Sequence, residues 1–365
     1  MNHKSFSPNP GHGYQIREIL GQGKNKKVFR AICQEVWEDR ALATYIDSKV
    51  DIDTVFKDMG PAMKVHSDYL VKIYQPFVGL DNRIYIPEEL LDRTLSSLAP
   101  FKNLKEYLKI GRDLVRGLFE LQKINRVHRD LKLDNCGLGY DWCGKICDFG
   151  LLTSEDSPQN GTILTRAPEL LMDRKKCCNK LSDVWALGAT LFALRTGFYP
   201  FVKTQEIDGR PSMGTGRTTF EKIVKTRCSE ENAEKELLSA VDSFFDNKTA
   251  AVLKEMLVFN VQSRATGENL VILWENLYKD IIFSFDGNKK PIGTNIVNKF
   301  SEIECFLNGF INHEFSITEK KWQALCNEIN EVLKDLDIKQ KQILKNLLAK
   351  AKLNRESQEK TMVAL

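Results

Sequence analysis

Short stretches of alternating apolar and polar residues fill the first ninety positions. YQIREIL (14–20), VFRAIC (28–33) and RALATYI (40–46) each read as a strand bounded by turns. Residues 70–78 and 83–87 read as two further strands, and residues 51–65 as a helix disturbed by Gly60 and Pro61. The pattern predicts a small antiparallel sheet with one helix up to about residue 90. Residues 1–13 are polar, contain Pro and Gly, and read as a loose tail.

The period lengthens from about residue 103. In LKIGRDLVRGLFELQKI, the residues Leu108, Ile110, Leu114, Val115, Leu118 and Leu121 recur at the spacing of one helix face. LSDVWALGATLFALR (181–195) is apolar on nearly every side and suits a buried helix. Residues 203–217, with GRPSMGTGR, read as a loop. After FDGNKKPIG the sequence Ser316–Ile317–Thr318–Glu319 carries a capping-box signature. Trp322, Leu325, Cys326, Ile329, Val332, Leu333 and Leu336 would line one helix face behind it; Ile343, Leu344, Leu347, Leu348 and Ala351 would line another. Residues 281–365 therefore read as a helical appendage. Such stripes serve self-packing, which is the plainer reading, or docking of a partner protein.

Composition narrows the class. The chain has 365 residues, an ordinary apolar share and a net charge of +4, too weak over this length to argue for nucleic acid or a membrane surface. Its nine cysteines show no paired CxxC spacing and fit reduced thiols in a cytoplasmic compartment. No run of about 18 apolar residues occurs, so no membrane span is expected. The N-terminus lacks the apolar core of a signal peptide.

Four motifs carry chemistry, and their order matters more than any one of them: VHRDLKLDN (127–135), KICDFG (145–150), GTILTRAPE (161–169) and SDVWALG (182–188). Phosphoryl transfer asks little covalent help of a protein; it needs metal ions on the phosphates, an aligned nucleophile and compensated charge. Asp130 can orient a hydroxyl and accept its proton. Asn135 and Asp148 are hard oxygen ligands suited to magnesium. Lys132 can set positive charge on the transferring phosphate. Taken together the motifs resemble the eukaryotic-type protein kinases, over residues 14–280.

That resemblance implies a two-lobed α+β fold, with a β-rich N-lobe over about 14–90, a helical C-lobe over about 91–280 and the appendage outside it. It implies ATP and Mg2+ as cofactors and a protein substrate. Lys132 implies serine/threonine preference, and Thr162 a hydrogen bond to Asp130 and Lys132. Glu169 would pair with Arg264, and Asp183 would anchor the catalytic-loop backbone. Thr165 replaces the tyrosine of the family pattern. Arg129 resembles the arginine of kinases switched by phosphorylation, with Thr153, Ser154 and Ser157 as candidate phosphosites and Glu155 and Asp156 as built-in negative charge.

The ATP site departs from the family. Gly21 and Gly23 begin the glycine-rich loop, and Val28 and Ala41 take the positions that sandwich adenine, with Glu89 near the hinge. The third glycine of that loop is Lys26, and the strand lysine falls on Ala43. The with-no-lysine kinases show this same pair of changes. Three readings stay open. Lys26 replaces the strand lysine in a working enzyme; or Ala43 is an inactivating Lys→Ala change; or the chain is a pseudokinase scaffold whose appendage binds a partner. The helix over 51–65 lacks a glutamate to pair with such a lysine, and Asp58 is the best substitute. An unfamiliar appendage also allows a host-acting effector, in which case the cytoplasm would be a host's.

Overall fold

The computed structural model describes residues 10–23, 26–46, 50–154, 157–158, 161–173, 175–202, 216–283, 326, 329, 333 and 340–352. They fall in two units, Met1–Leu277 and Tyr278–Leu365.

The first unit begins with a five-stranded antiparallel sheet in the order β1-β2-β3-β5-β4. Its strands are β1 (Tyr14–Gln22), β2 (Lys26–Cys33), β3 (Glu38–Tyr45), β4 (Phe77–Val78) and β5 (Ile84–Glu89). β2 and β3 pair without a break from Lys26↔Tyr45 to Cys33↔Glu38. Period-2 alternation then sorts the side chains. Ala31, Leu42 and Tyr85 are buried on one face, with Tyr14, Ile16 and Phe77 packed against them. The other face carries Lys26 and Val28 beside Tyr45, Ala43 and Ala41, and these beside Ile86 and Glu88. Helix α1 (Ile52–Met63) buries Val55, Met59 and Ala62.

The strand expected over 70–78 forms only at Phe77–Val78. The segment divides its pairing: Leu70 bridges Ile146, while Ile73 bridges Glu88 three residues later. Pro76 then offers no N–H to a ladder.

The rest of the unit is mainly helical. Residues 127–135 lead directly into β7 (Cys136–Leu138), the central strand of a small sheet with β6 (Arg93–Thr94) and β8 (Gly144–Ile146). Helix α2 (Leu104–Lys123) starts where the Asn103 side chain accepts from the N–H groups of Lys105 and Glu106. It buries Leu108, Ile110, Leu114, Val115, Leu118 and Leu121, the periodic set read from sequence. Gly111 lies against Trp274, where an added Cβ would sit 2.2 Å from the ring. Helix α3 (Pro168–Met172) follows. Helix α4 (Lys180–Thr196) is closed by an Asn179–Ser182 capping box and is buried from Ser182 to Leu194. Its C-terminus turns through Gly197 at φ 86°. Helices α5 (Gly216–Cys228), α6 (Ala233–Phe244), α7 (Asn247–Met256) and α8 (Gly267–Phe283) complete the order.

In the second unit a helix over 340–352 buries Leu344 and Ala351 and half-buries Ile343, Leu347 and Leu348, while Gln342, Lys345 and Asn346 are exposed. That is the second stripe read from sequence. Of the first stripe only Cys326, Ile329 and Leu333 are described, Ile329 being buried. The capping box at 316–319 and loop residues 203–215 lie outside the described residues. Eight described cysteines are free thiols. No described helix is long and apolar enough to cross a membrane.

Candidate active site

The turn 127–135 is held from beneath by a buried carboxylate. Asp183 at the start of α4 accepts the backbone N–H groups of His128 and Arg129. Burial raises its pKa; His128 and the two backbone hydrogen bonds oppose that. Those bonds hold Arg129 at φ 67°, a left-handed conformation that is costly for a side-chain-bearing residue. His128 Nδ1 accepts from the Asp130 N–H, and its Nε2 lies 3.0 Å from the Cys147 carbonyl. A carbonyl can only accept, so Nε2 is the donor in that contact.

Four donors converge on the carboxylate of Asp130. Oδ1 accepts from the Thr162 N–H and from the Thr162 hydroxyl, each at 2.7 Å. Oδ2 accepts from Lys132 Nζ at 2.9 Å and Asn135 Nδ2 at 3.0 Å. Lys132 Nζ also reaches Thr162 Oγ1 at 3.2 Å. Gly161 makes this docking possible: at φ 84°, a Cβ there would lie 2.0 Å from the Arg129 carbonyl. Asn135 donates through Nδ2 to the Asp130 backbone carbonyl as well. Both donors therefore point at Asp130, and no described donor engages Asn135 Oδ1.

Above this turn, Lys26 crosses from the sheet. Its Nζ donates to Asp148 Oδ1 at 2.9 Å. It comes so near Gly150 that a Cβ there would be 2.6 Å from Nζ. Burial acts to lower the Lys26 pKa, but the charges of Asp148 and Glu88 outweigh it and hold the ammonium above its usual range. Burial likewise acts to raise Asp148; the Lys26 charge and hydrogen bond, with His128 and the Gly150 N–H, hold its pKa below the ordinary carboxylate value. Ala43 is buried, paired with Val28 on one side and Ile86 on the other. It shares a sheet face with Lys26, whose cross-strand partner is Tyr45, two residues along. A lysine at either position would enter the same cleft.

The family model described as "Protein kinase domain" matches residues 14–273. The chain belongs to the protein kinase domain family. Among curated proteins, this kinase is 26% identical over 230 residues to the mitogen-activated protein kinase mpkC of Aspergillus oryzae. That match covers 58% of this chain and 66% of the relative, a little under two thirds of its length.

Members of the family generally use ATP and Mg2+, and the donors of this kinase fit such a cation. Asp148 Oδ2 accepts no hydrogen bond from a described residue, and Asn135 Oδ1 is likewise open. Two hard oxygens suit magnesium. Among the described residues no cluster of three or more His, Cys, Asp or Glu side chains could hold a metal ion.

Of the residues singled out in the sequence, Asp130, Lys132, Asn135 and Thr162 form one hydrogen-bonded cluster, and Lys26 and Asp148 form the ion pair above it. Val28, Ala41 and Ala43 lie on the cleft face of the sheet. Gly23 closes its turn by donating to the Lys26 carbonyl, and Gly21 pairs with Val28. Glu169 and Arg264 meet in a two-pronged ion pair at 3.0 Å.

One expectation gains detail and one needs correction. The Glu89 carboxylate turns to Lys145 Nζ at 3.0 Å and to the Lys72 N–H. By alternation along β5, the hinge residue whose side chain enters the cleft is Glu88. Asp58 is exposed on α1 and does not hold Lys26; Asp148 and Glu88 are the carboxylates acting on it. Glu88 was legible as a hinge residue, but its side-chain direction needed the β3–β5 register.

Arg129 spends its guanidinium on backbone. Nε donates to the Leu151 carbonyl at 2.7 Å and an Nη donates to that of Pro158 at 3.2 Å. Thr153 pairs in backbone with Val127, and its hydroxyl lies 3.0 Å from that of Ser157. Ser154 contributes its carbonyl to the Ser157 hydroxyl. Residues 155 and 156 lie outside the described residues.

Proposed function

We propose that this kinase transfers the γ-phosphate of Mg-ATP to a serine or threonine hydroxyl of another protein, with Lys26 in the role usually filled by the strand lysine. The observation that carries the reading is the reach of Lys26 Nζ to Asp148 across the cleft. An ammonium fixed there by opposite charge can turn to phosphate oxygens without help from position 43. Asn135 Oδ1 and Asp148 would hold Mg2+, which would supply neutralising charge at the phosphates.

Asp130 orients the substrate hydroxyl and receives its proton as the oxygen bonds to phosphorus and ADP leaves. All four acceptor directions of its carboxylate are filled at rest, so one donor has to withdraw before the hydroxyl can bind. Lys132 is suited to that: it moves its charge from Asp130 to the transferring phosphate and frees Oδ2. The Thr162 N–H and hydroxyl keep Oδ1 in place meanwhile. Lys132, by its position two residues after the base, favours serine or threonine.

The same reading takes residues 14–280 as the catalytic domain and 281–365 as a helical appendage that packs its own stripes or docks a partner. It places the chain in a reducing cytoplasm, consistent with the free thiols. The test is transfer of labelled phosphate from Mg-ATP to a generic basic protein, with phosphoamino-acid analysis of the product. Transfer to serine or threonine, lost in Asp130→Asn, supports the reading; no transfer above that variant refutes it.

A further inference from the structure

The ammonium of Lys26 has a second neighbour besides Asp148. Lys26 is the first residue of β2 and stands directly across the ladder from Tyr45, the last residue of β3. Both side chains point to the cleft face, where cross-strand partners lie close enough to interact. Lys26 Nζ sits over the Tyr45 ring, 5.4 Å from its centroid. That is inside the ~6 Å within which an aromatic face attracts a cation. The Lys26 side chain is only 16% exposed, so the attraction acts on a largely desolvated charge. Burial raises the pKa of the Tyr45 hydroxyl, so the ring is neutral at neutral pH.

A lysine stem is long and flexible, and the charge at its tip serves a site only if it is aimed. Little else in the sheet can aim this one. Ala43, on the same face, brings only a methyl group. Helix α1 sends no acidic side chain to Lys26: Asp53 and Asp58 are both exposed. An aromatic face also suits the place better than a further carboxylate would. It attracts the ammonium without adding negative charge that repels a triphosphate. It makes no claim on a metal ion. Asp148 keeps Lys26 on Oδ1, and the ring adds a second attraction to the same nitrogen.

We propose that Tyr45 is a positioning residue for Lys26, its ring face keeping the ammonium in the cleft so that Nζ can meet the phosphate oxygens of the nucleotide. The proposal rests on the reading that Lys26 is the phosphate-binding lysine, and it adds the residue that aims it. It gives the end of β3 a role that depends on an aromatic ring. A side chain of similar bulk without a ring could pack there, but would leave Nζ to Asp148 alone.

The test is the affinity of the full chain for Mg-ATP, measured by calorimetry for wild type, Tyr45→Leu, Tyr45→Phe, Lys26→Ala and the double variant Lys26→Ala/Tyr45→Leu. Melting curves accompany each, and Tyr45→Met replaces the leucine variant if that one folds poorly. Tyr45→Leu should weaken binding about fivefold, the size of one partly desolvated contact between a cation and a ring. Tyr45→Phe keeps the ring and should recover most of that loss. In the Lys26→Ala background the loss should disappear, which a mere packing role for Tyr45 would not produce. Wild-type affinity in Tyr45→Leu, an equal loss in Tyr45→Phe, or the same loss with and without Lys26 would overturn the proposal alone. Unchanged binding by Lys26→Ala would overturn the parent reading and this proposal with it.

Discussion

Lys26 and Asp148 are 122 positions apart in the chain and meet at 2.9 Å. One comes from the second strand of the sheet, the other from the turn before a short 3₁₀ segment at Phe149–Leu151. Their contact ties the sheet to that turn. Asp148 sits at φ 59°, a left-handed conformation that the Gly150 N–H helps to hold.

The Glu169–Arg264 pair should be a main support of the C-lobe. Arg264 has no exposed side-chain surface and also donates to the carbonyls of Leu181 and Val258. Arg264→Ala leaves Glu169 nearly buried without its partner, at a cost of about 3–5 kcal/mol. Denaturant unfolding should show the loss directly, with activity falling only as the folded fraction falls.

Gly161 should tolerate no side chain. Alanine would have to adopt φ 84° and clear the Arg129 carbonyl, 2.0 Å from its Cβ. The outcome is displacement of Thr162 from Asp130, and a misplacement of about 1 Å at such a site costs about a hundredfold in rate. Steady-state kinetics of Gly161→Ala should show it as a fall in kcat.

Asp113 should set an acid limit to stability. It is fully buried on α2; burial would raise its pKa, but Lys109 and Arg112, with the Gly144 N–H, hold it below 3.8. A depressed folded pKa means stability that is complete above the unfolded value and lost as pH falls through the folded one. Wild type should therefore lose stability in that window below about pH 4. Asp113→Asn should lack this component and be about 3 kcal/mol less stable at neutral pH, since two cations lose their partner. Melting temperature against pH checks both.

Much of the site could be read in the chain because its residues lie close together in sequence. Asp130, Lys132 and Asn135 share one turn, so a motif of nine residues already places them around one carboxylate. Thr162 was reachable through the order of motifs. The helix α2 face appeared because a single period runs its whole length. The segment 70–78 misled because its apolar residues serve two sheets, and periodicity cannot say which partner takes which residue. Glu88 and Glu89 were ambiguous for a related reason: one position of register exchanges cleft and exterior, and only pairing with Arg40 and Ala41 decides it. Asp58 looked suitable by spacing, but α1 buries Val55, Met59 and Ala62 and turns Asp58 to solvent.

The most direct test of the account is phosphate transfer by this chain and by two variants, Lys26→Ala and Ala43→Lys, to a generic basic protein with Mg-ATP. The chain itself should transfer phosphate, and Lys26→Ala should abolish that transfer at unchanged melting temperature. Transfer only after Ala43→Lys, with Lys26→Ala harmless in that background, would contradict the account and make Ala43 the disabling residue.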